Sequence, residues 1–108
     1  MNKKRLLDYQ EQLLIKLQDE KFAAAYLNEA LQDEDPRMFL LALKNVIDAQ
    51  QNDLAAVAQE ANLSRMSLYR ILSKKSNPKL TSIVSLLSAV GLQLSVHPSV
   101  GNKTARKN

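Results

Sequence analysis

An all-α fold is what this sequence predicts, and three observations predict it. Apolar residues recur at three- and four-residue spacing through most of the chain. Only two glycines and three prolines, the residues that punctuate loops, occur in 108 positions. Helix-capping residues stand just ahead of periodic segments, at Asp19, Asp35 and Ser64.

The first helix is expected over about residues 4–18, where Leu6, Leu7, Leu13, Leu14 and Leu17 recur at helical spacing. Such a stripe either joins the core or docks a partner. Asp19 caps a second helix, with Phe22, Ala23, Tyr26, Leu27, Ala30 and Leu31 on its apolar face. Asp33-Glu34-Asp35 is a polar break. Asp35 then caps a third helix that starts on Pro36, where a missing N–H does no harm. Its stripe is Phe39, Leu40, Leu43, Val46 and Ile47.

Residues 50–53 lead to a short helix over about 54–61. Asn62-Leu63-Ser64 is the next break, and Ser64 caps a helix reaching about residue 73. Residues 74–79, KKSNPK, form a basic loop before a last helix over about 80–90. Gly91 supplies the left-handed residue that ends it. Leu92-Gln93-Leu94-Ser95-Val96 alternates apolar and polar, the period of a short C-terminal strand. A lone strand needs a partner, as across a dimer; the other reading is an extended tail packed on the core. From His97 onward the chain is polar and basic and is expected to be disordered.

Composition excludes several classes. Apolar residues make up 45% of the chain, enough for a core. The absence of cysteine rules out disulfides, a thiol nucleophile and a cysteine-ligated metal site. It fits a reducing cytosol, so a cytoplasmic location is expected. Lys3, Lys4 and Arg5 open the chain, but Asp8 and Glu11 interrupt the apolar run that a secretory signal needs. No segment is long and apolar enough for a bilayer, so no membrane partner is expected.

The net charge of +4 matters less than its distribution. Residues 6–63 hold all eleven acidic groups against four basic ones, leaving −7. Residues 64–108 hold eight basic groups and no acidic one, and Glu60 is the last carboxylate side chain. Such asymmetry points to a polyanion partner, or merely to a solvated basic surface with a basic tail.

The segment LAAVAQEANLSRMSLYRIL, Leu54 to Leu72, decides between these. Two short helices joined by three residues cross steeply and need a small residue at their contact, a place Ala58 fits. Val57, Ala61, Leu63, Leu68 and Ile71 fit the buried positions. The turn needs a residue tolerant of positive φ, and Asn62 is the best choice after glycine. At about 100° per residue, Arg65, Met66, Tyr69, Arg70 and Ser73 fall on one outer arc of the second helix. Arginine binds guanine bidentately, and apolar side chains touch thymine methyls. Arg65, Met66, Tyr69 and Arg70 are therefore the expected base contacts in a major groove. Ser64, Ser67, Lys74, Lys75, Asn77 and Lys79 are the expected phosphate contacts. An ordinary helical hairpin with a basic solvent face is the competing reading; charge footprint and motif together favour DNA.

The stretch ANLSRMSLYRILSKKSNPKLTSIVSLLSAVGLQLSV resembles the helix-turn-helix of the lambda-repressor/Cro-like superfamily. With AAAYLNEALQDEDPRMFLLALKNVIDA ahead of it, the pattern over roughly residues 9–96 resembles the addiction-module antidote family, the HigA-like antitoxins of type II toxin–antitoxin pairs. AAYL, the acidic-proline break, LSRMSLYR, NPKL and GLQLSV carry that resemblance. It implies a lambda-repressor-like helix-turn-helix domain over 36–96, an N-terminal helical extension over 1–35 and a basic tail over 97–108. It also implies a homodimer that binds double-stranded DNA at its own operator and neutralises a small RelE/ParE-like toxin. The family usually has glycine where Asn62 stands, and often an acidic residue where Met66 stands.

The remaining signals are weak. His97 is the only histidine and has no second nitrogen or sulfur ligand, so no metal site is expected. No nucleophile–base pair or glycine-rich phosphate loop can be named, so neither catalysis nor a cofactor is expected. Asp33, Glu34 and Asp35 lack the alternating ligand spacing of a cation loop and read as a capping cluster. The alternatives are a helix-turn-helix regulator unlinked to any toxin, a nucleic-acid-binding module without sequence preference, and a protein-interaction domain.

Overall fold

A computed structural model describes residues 3–50, 54–73 and 77–99. Among these residues it contains six helices and no strand: α1 (Lys3–Lys16), α2 (Glu20–Ala30), α3 (Arg37–Asp48), α4 (Leu54–Glu60), α5 (Arg65–Ile71) and α6 (Leu80–Ala89). The connection at 51–53, the loop residues 74–76 and the basic tail from 100 onward lie outside the described residues.

α2, α3 and α5 start where side chains can satisfy early helical N–H groups. Asp19 caps α2 by accepting from the Lys21 N–H at 3.1 Å. Pro36 already has helical backbone angles, φ −61° and ψ −17°, so it stands at the first helical position of α3. Asp35, just ahead of it, accepts from the Arg37 N–H at 3.0 Å and pairs with the Arg37 guanidinium at 2.8 Å. The guanidinium hydrogen bonds, with the Arg37 N–H second, hold the Asp35 carboxyl below its ordinary value. Asp33 in turn accepts from the Asp35 N–H at 2.9 Å. The acidic break is thus a relay of two side-chain turns that aims the chain from α2 into α3.

Two helix ends are closed by left-handed residues. Asn62 has φ 61° and Gly91 has φ 85°. After α4 the Leu63 N–H reaches the Ala58 carbonyl at 2.8 Å, and the Asn62 N–H reaches Gln59 at 3.0 Å. After α6 the Leu92 N–H reaches Leu87 at 2.8 Å, and the Gly91 N–H reaches Ser88 at 3.0 Å. Both are Schellman closures, and half-buried Leu63 and Leu92 supply the apolar contact that goes with them. Asn62→Ala is expected to lower stability by about 1 kcal/mol, because alanine has no local hydrogen bond to offset the left-handed backbone. Asn62→Gly should not. Thermal melts of the two variants check this.

One buried cluster joins the helices. Leu17, Ala23 and Leu27 share it with Leu40, Leu43, Val46 and Ile47 of α3, with Leu68 and Leu72, and with Ile83, Leu86 and Leu87 of α6. α3 packs on α1, α2 and α4, and α4 packs on α5 and α6. Asn45 donates to the Tyr26 hydroxyl at 2.8 Å, which ties α3 to α2 where both are part-buried. Only the C-terminal part of the α1 stripe reaches this core: Leu17 is buried and Leu13 and Leu14 are half-buried, whereas Leu6 and Leu7 are exposed.

The strand expected at Leu92–Val96 is not formed. The segment runs past Ala24 and Asn28 of α2 and Leu31 just beyond its end, with which it lines a shallow cleft of about 190 Å³. Leu92 is half-buried and the next four residues are exposed. Alternating side chains fix which way residues face, but a strand exists only through a hydrogen-bonded ladder, and six helices offer none. Among the described residues no helix is long and apolar enough to cross a membrane.

Candidate nucleic-acid interface

α5 owes its orientation to its buried side. Leu68 is fully buried and Leu72, just past the helix end, is buried too, while Ile71 is half-buried. These three side chains anchor one face of a seven-residue helix too short to be stable alone. Ala58 of α4 is buried, as a close approach of the two helices requires. The opposite face then points away from the core. Met66 is 79% exposed and Tyr69 38%, and Arg65 and Arg70 are exposed as well.

The start of α5 is held by serines. Ser64 is extended (φ −77°, ψ 161°), and its Oγ accepts from the Ser67 N–H at 3.0 Å. The Ser64 hydroxyl donates to Ser67 Oγ at 3.0 Å, and Arg70 Nη2 donates to the same oxygen at 3.1 Å. Ser67 thus receives two donors and holds the Arg70 guanidinium along the helix. This hub joins an expected base contact to two expected phosphate contacts. The sequence offered its spacing of three residues, but not which partners the hydroxyls would choose.

Neither Arg65 nor Arg70 pairs with a carboxylate among the described residues; the ion pairs there are Arg37–Asp35 and Lys44–Asp48. Asn77 and Lys79 are exposed ahead of α6, and Lys79 takes the cap position with φ −71° and ψ 151°. Its carbonyl accepts from Ser82 and Ile83, which leaves its side chain outside the cap. Lys74 and Lys75 lie outside the described residues. Of the ten residues singled out in the sequence, Ser64, Arg65, Met66, Ser67, Tyr69 and Arg70 stand together on α5 and its cap, and Asn77 and Lys79 stand on the entry to α6. Sequence reasoning passed over Met38 and Leu41, two exposed apolar residues outside the α3 stripe. The signal was there: Met38 to Leu43 are all apolar, and six residues in a row must circle a helix.

Among the described residues, fold and surface together define a small helical protein with a cationic face on α5 that is unpaired with carboxylates. A family model described as "Probable addiction module antidote protein" matches residues 8–98, and the chain belongs to that family. It is 32% identical over 83 residues to a Haemophilus influenzae protein named "Uncharacterized protein", a match covering 77% of this chain and 84% of that one. No solved structure gave a significant match. An antidote family implies a toxin partner.

Proposed function

We propose that this chain is the antitoxin of a type II toxin–antitoxin pair and a sequence-specific DNA-binding regulator that represses its own operon. In this reading α4 and α5 form a lambda-repressor-like helix-turn-helix. α5 enters the major groove with Arg65 and Met66 leading and Tyr69 and Arg70 behind them. Ser64, Ser67, Asn77 and Lys79 contact phosphates, joined by Lys74 and Lys75. The observation that carries the reading is the outward face of α5, where two guanidinium groups have no carboxylate partner among the described residues. An unneutralised cationic helix face beside a left-handed turn is suited to a duplex, whose phosphates are the strongest available counter-charge.

The protein acts as a homodimer in the cytoplasm, since paired half-sites one helical turn apart require two reading helices. Its protein partner is a small RelE/ParE-like toxin, a reading that the antidote family supports only as far as a toxin. No cofactor, metal or catalytic step enters this reading.

The test is a shift assay on the DNA upstream of the gene, alone and with the copurified product of the neighbouring reading frame. Retention of that DNA over a scrambled duplex in moderate salt is expected, as is copurification of the neighbour. Equal retention of both duplexes would remove the regulator half of the reading; failure to copurify any neighbour would remove the antitoxin half.

A further inference from the structure

α3 carries more apolar surface than its core contact uses. Leu40, Ala42 and Leu43 are buried, whereas Met38 and Leu41 are 40% and 51% exposed. With Tyr26 and Ala30 of α2 they line a groove of about 420 Å³, flanked by Glu29 and Asp33. The hydrogen bond from Asn45 holds the Tyr26 ring in place as a wall of this groove. The Glu29 carboxylate has no partner among the described residues, and Asp33 serves only the Asp35 N–H. The groove therefore combines an apolar floor with an unneutralised acidic rim.

An open groove with an apolar floor and a polar rim has the layout of a protein-docking surface, and the charge selects its occupant. Glu29 and Asp33 repel a nucleic acid. A second copy docked groove to groove about a two-fold axis would set the same carboxylates against one another. A segment presenting apolar side chains flanked by lysine or arginine satisfies both floor and rim, in the manner of an amphipathic helix laid in a groove. We propose that the α2–α3 groove is the docking site for a cationic amphipathic segment of the toxin partner, an inference that rests on the antitoxin reading above. Met38 and Leu41 also border a cleft whose other side is Leu72 and Ser73, at the C-terminal end of α5. A toxin seated in the groove stands beside the proposed DNA-reading helix, so the two partners are close enough to alter each other's binding.

The test uses the full chain and the product of the reading frame adjacent to its gene, with affinities measured by calorimetry. Leu41→Asp and Glu29→Lys change exposed side chains that make no hydrogen bond among the described residues and should keep the wild-type circular dichroism. Each is expected to weaken binding of that product by about tenfold or more. The loss from the Glu29→Lys charge reversal should shrink as salt rises. Hydrogen exchange on the wild-type complex should show new protection over residues 26–42, a readout that does not depend on any variant folding. If the wild type binds the product and neither variant nor exchange implicates the groove, the groove assignment falls and the antitoxin reading stands. If the wild type binds no such product, both fall. Self-association of the wild type that Leu41→Asp abolishes, without a change in product binding, would assign the groove to a second copy instead.

Discussion

Leu43→Ala is expected to lower the unfolding free energy by about 2–5 kcal/mol. Leu43 has no exposed surface and lies midway along α3, the helix that packs on α1, α2 and α4. Removing its side chain forfeits the burial of three carbon atoms and leaves a cavity among helices that can close only partly around it. Small domains are net stable by about 5–15 kcal/mol, so this loss is a large share of the whole. Urea titration should show a lower midpoint with an unchanged slope. Leu41→Ala, on the same helix but 51% exposed, should change stability by no more than about 0.5 kcal/mol. Equal losses at the two positions would mean that α3 seats a different face on the core.

Arg65→Ala and Arg70→Ala are each expected to lose about 1–3 kcal/mol on the cognate operator, roughly tenfold to hundredfold in affinity. The two losses should be close to additive, since Arg70 is tied to Ser67 and shares no partner with Arg65 among the described residues. Lys79→Ala serves as the contrast. A phosphate contact carries no sequence information, so its loss should weaken cognate and scrambled duplexes alike and reduce the salt slope by about one. Shift titrations of the three variants on both duplexes, at low and moderate salt, separate these outcomes. If the arginine variants lose affinity equally on every sequence, the protein is a nucleic-acid-binding module without sequence preference, and the operator reading fails.

Much of the helical layout was legible in the residues. Asp19, Asp35 and Ser64 each accept the early helical N–H that their positions called for, because capping is a local interaction between residues two or three apart. Asn62 and Gly91 take up positive φ where a helix must end and the chain must turn back, again a local requirement. Local signals were weaker where the outcome depends on neighbours distant in sequence. The alternation of Leu92 to Val96 specified faces but could not supply the second strand that a ladder needs. The α1 stripe specified one apolar face but not how much of it the body would cover, and Leu6 and Leu7 emerge exposed beyond it. On α3, Met38 and Leu41 fall outside the stripe that faces the core and form the floor of a groove.

The sequence by itself determined where the helices begin and end, which residue is left-handed in the turns after α4 and α6, and that the acidic and basic groups are segregated along the chain. Only the tertiary structure decided which arginines stay clear of the carboxylates and which apolar side chains stay uncovered. Caps and closures depend on backbone groups a few residues away, whereas exposure and charge pairing depend on which helix faces meet, and that is fixed by packing the whole core at once.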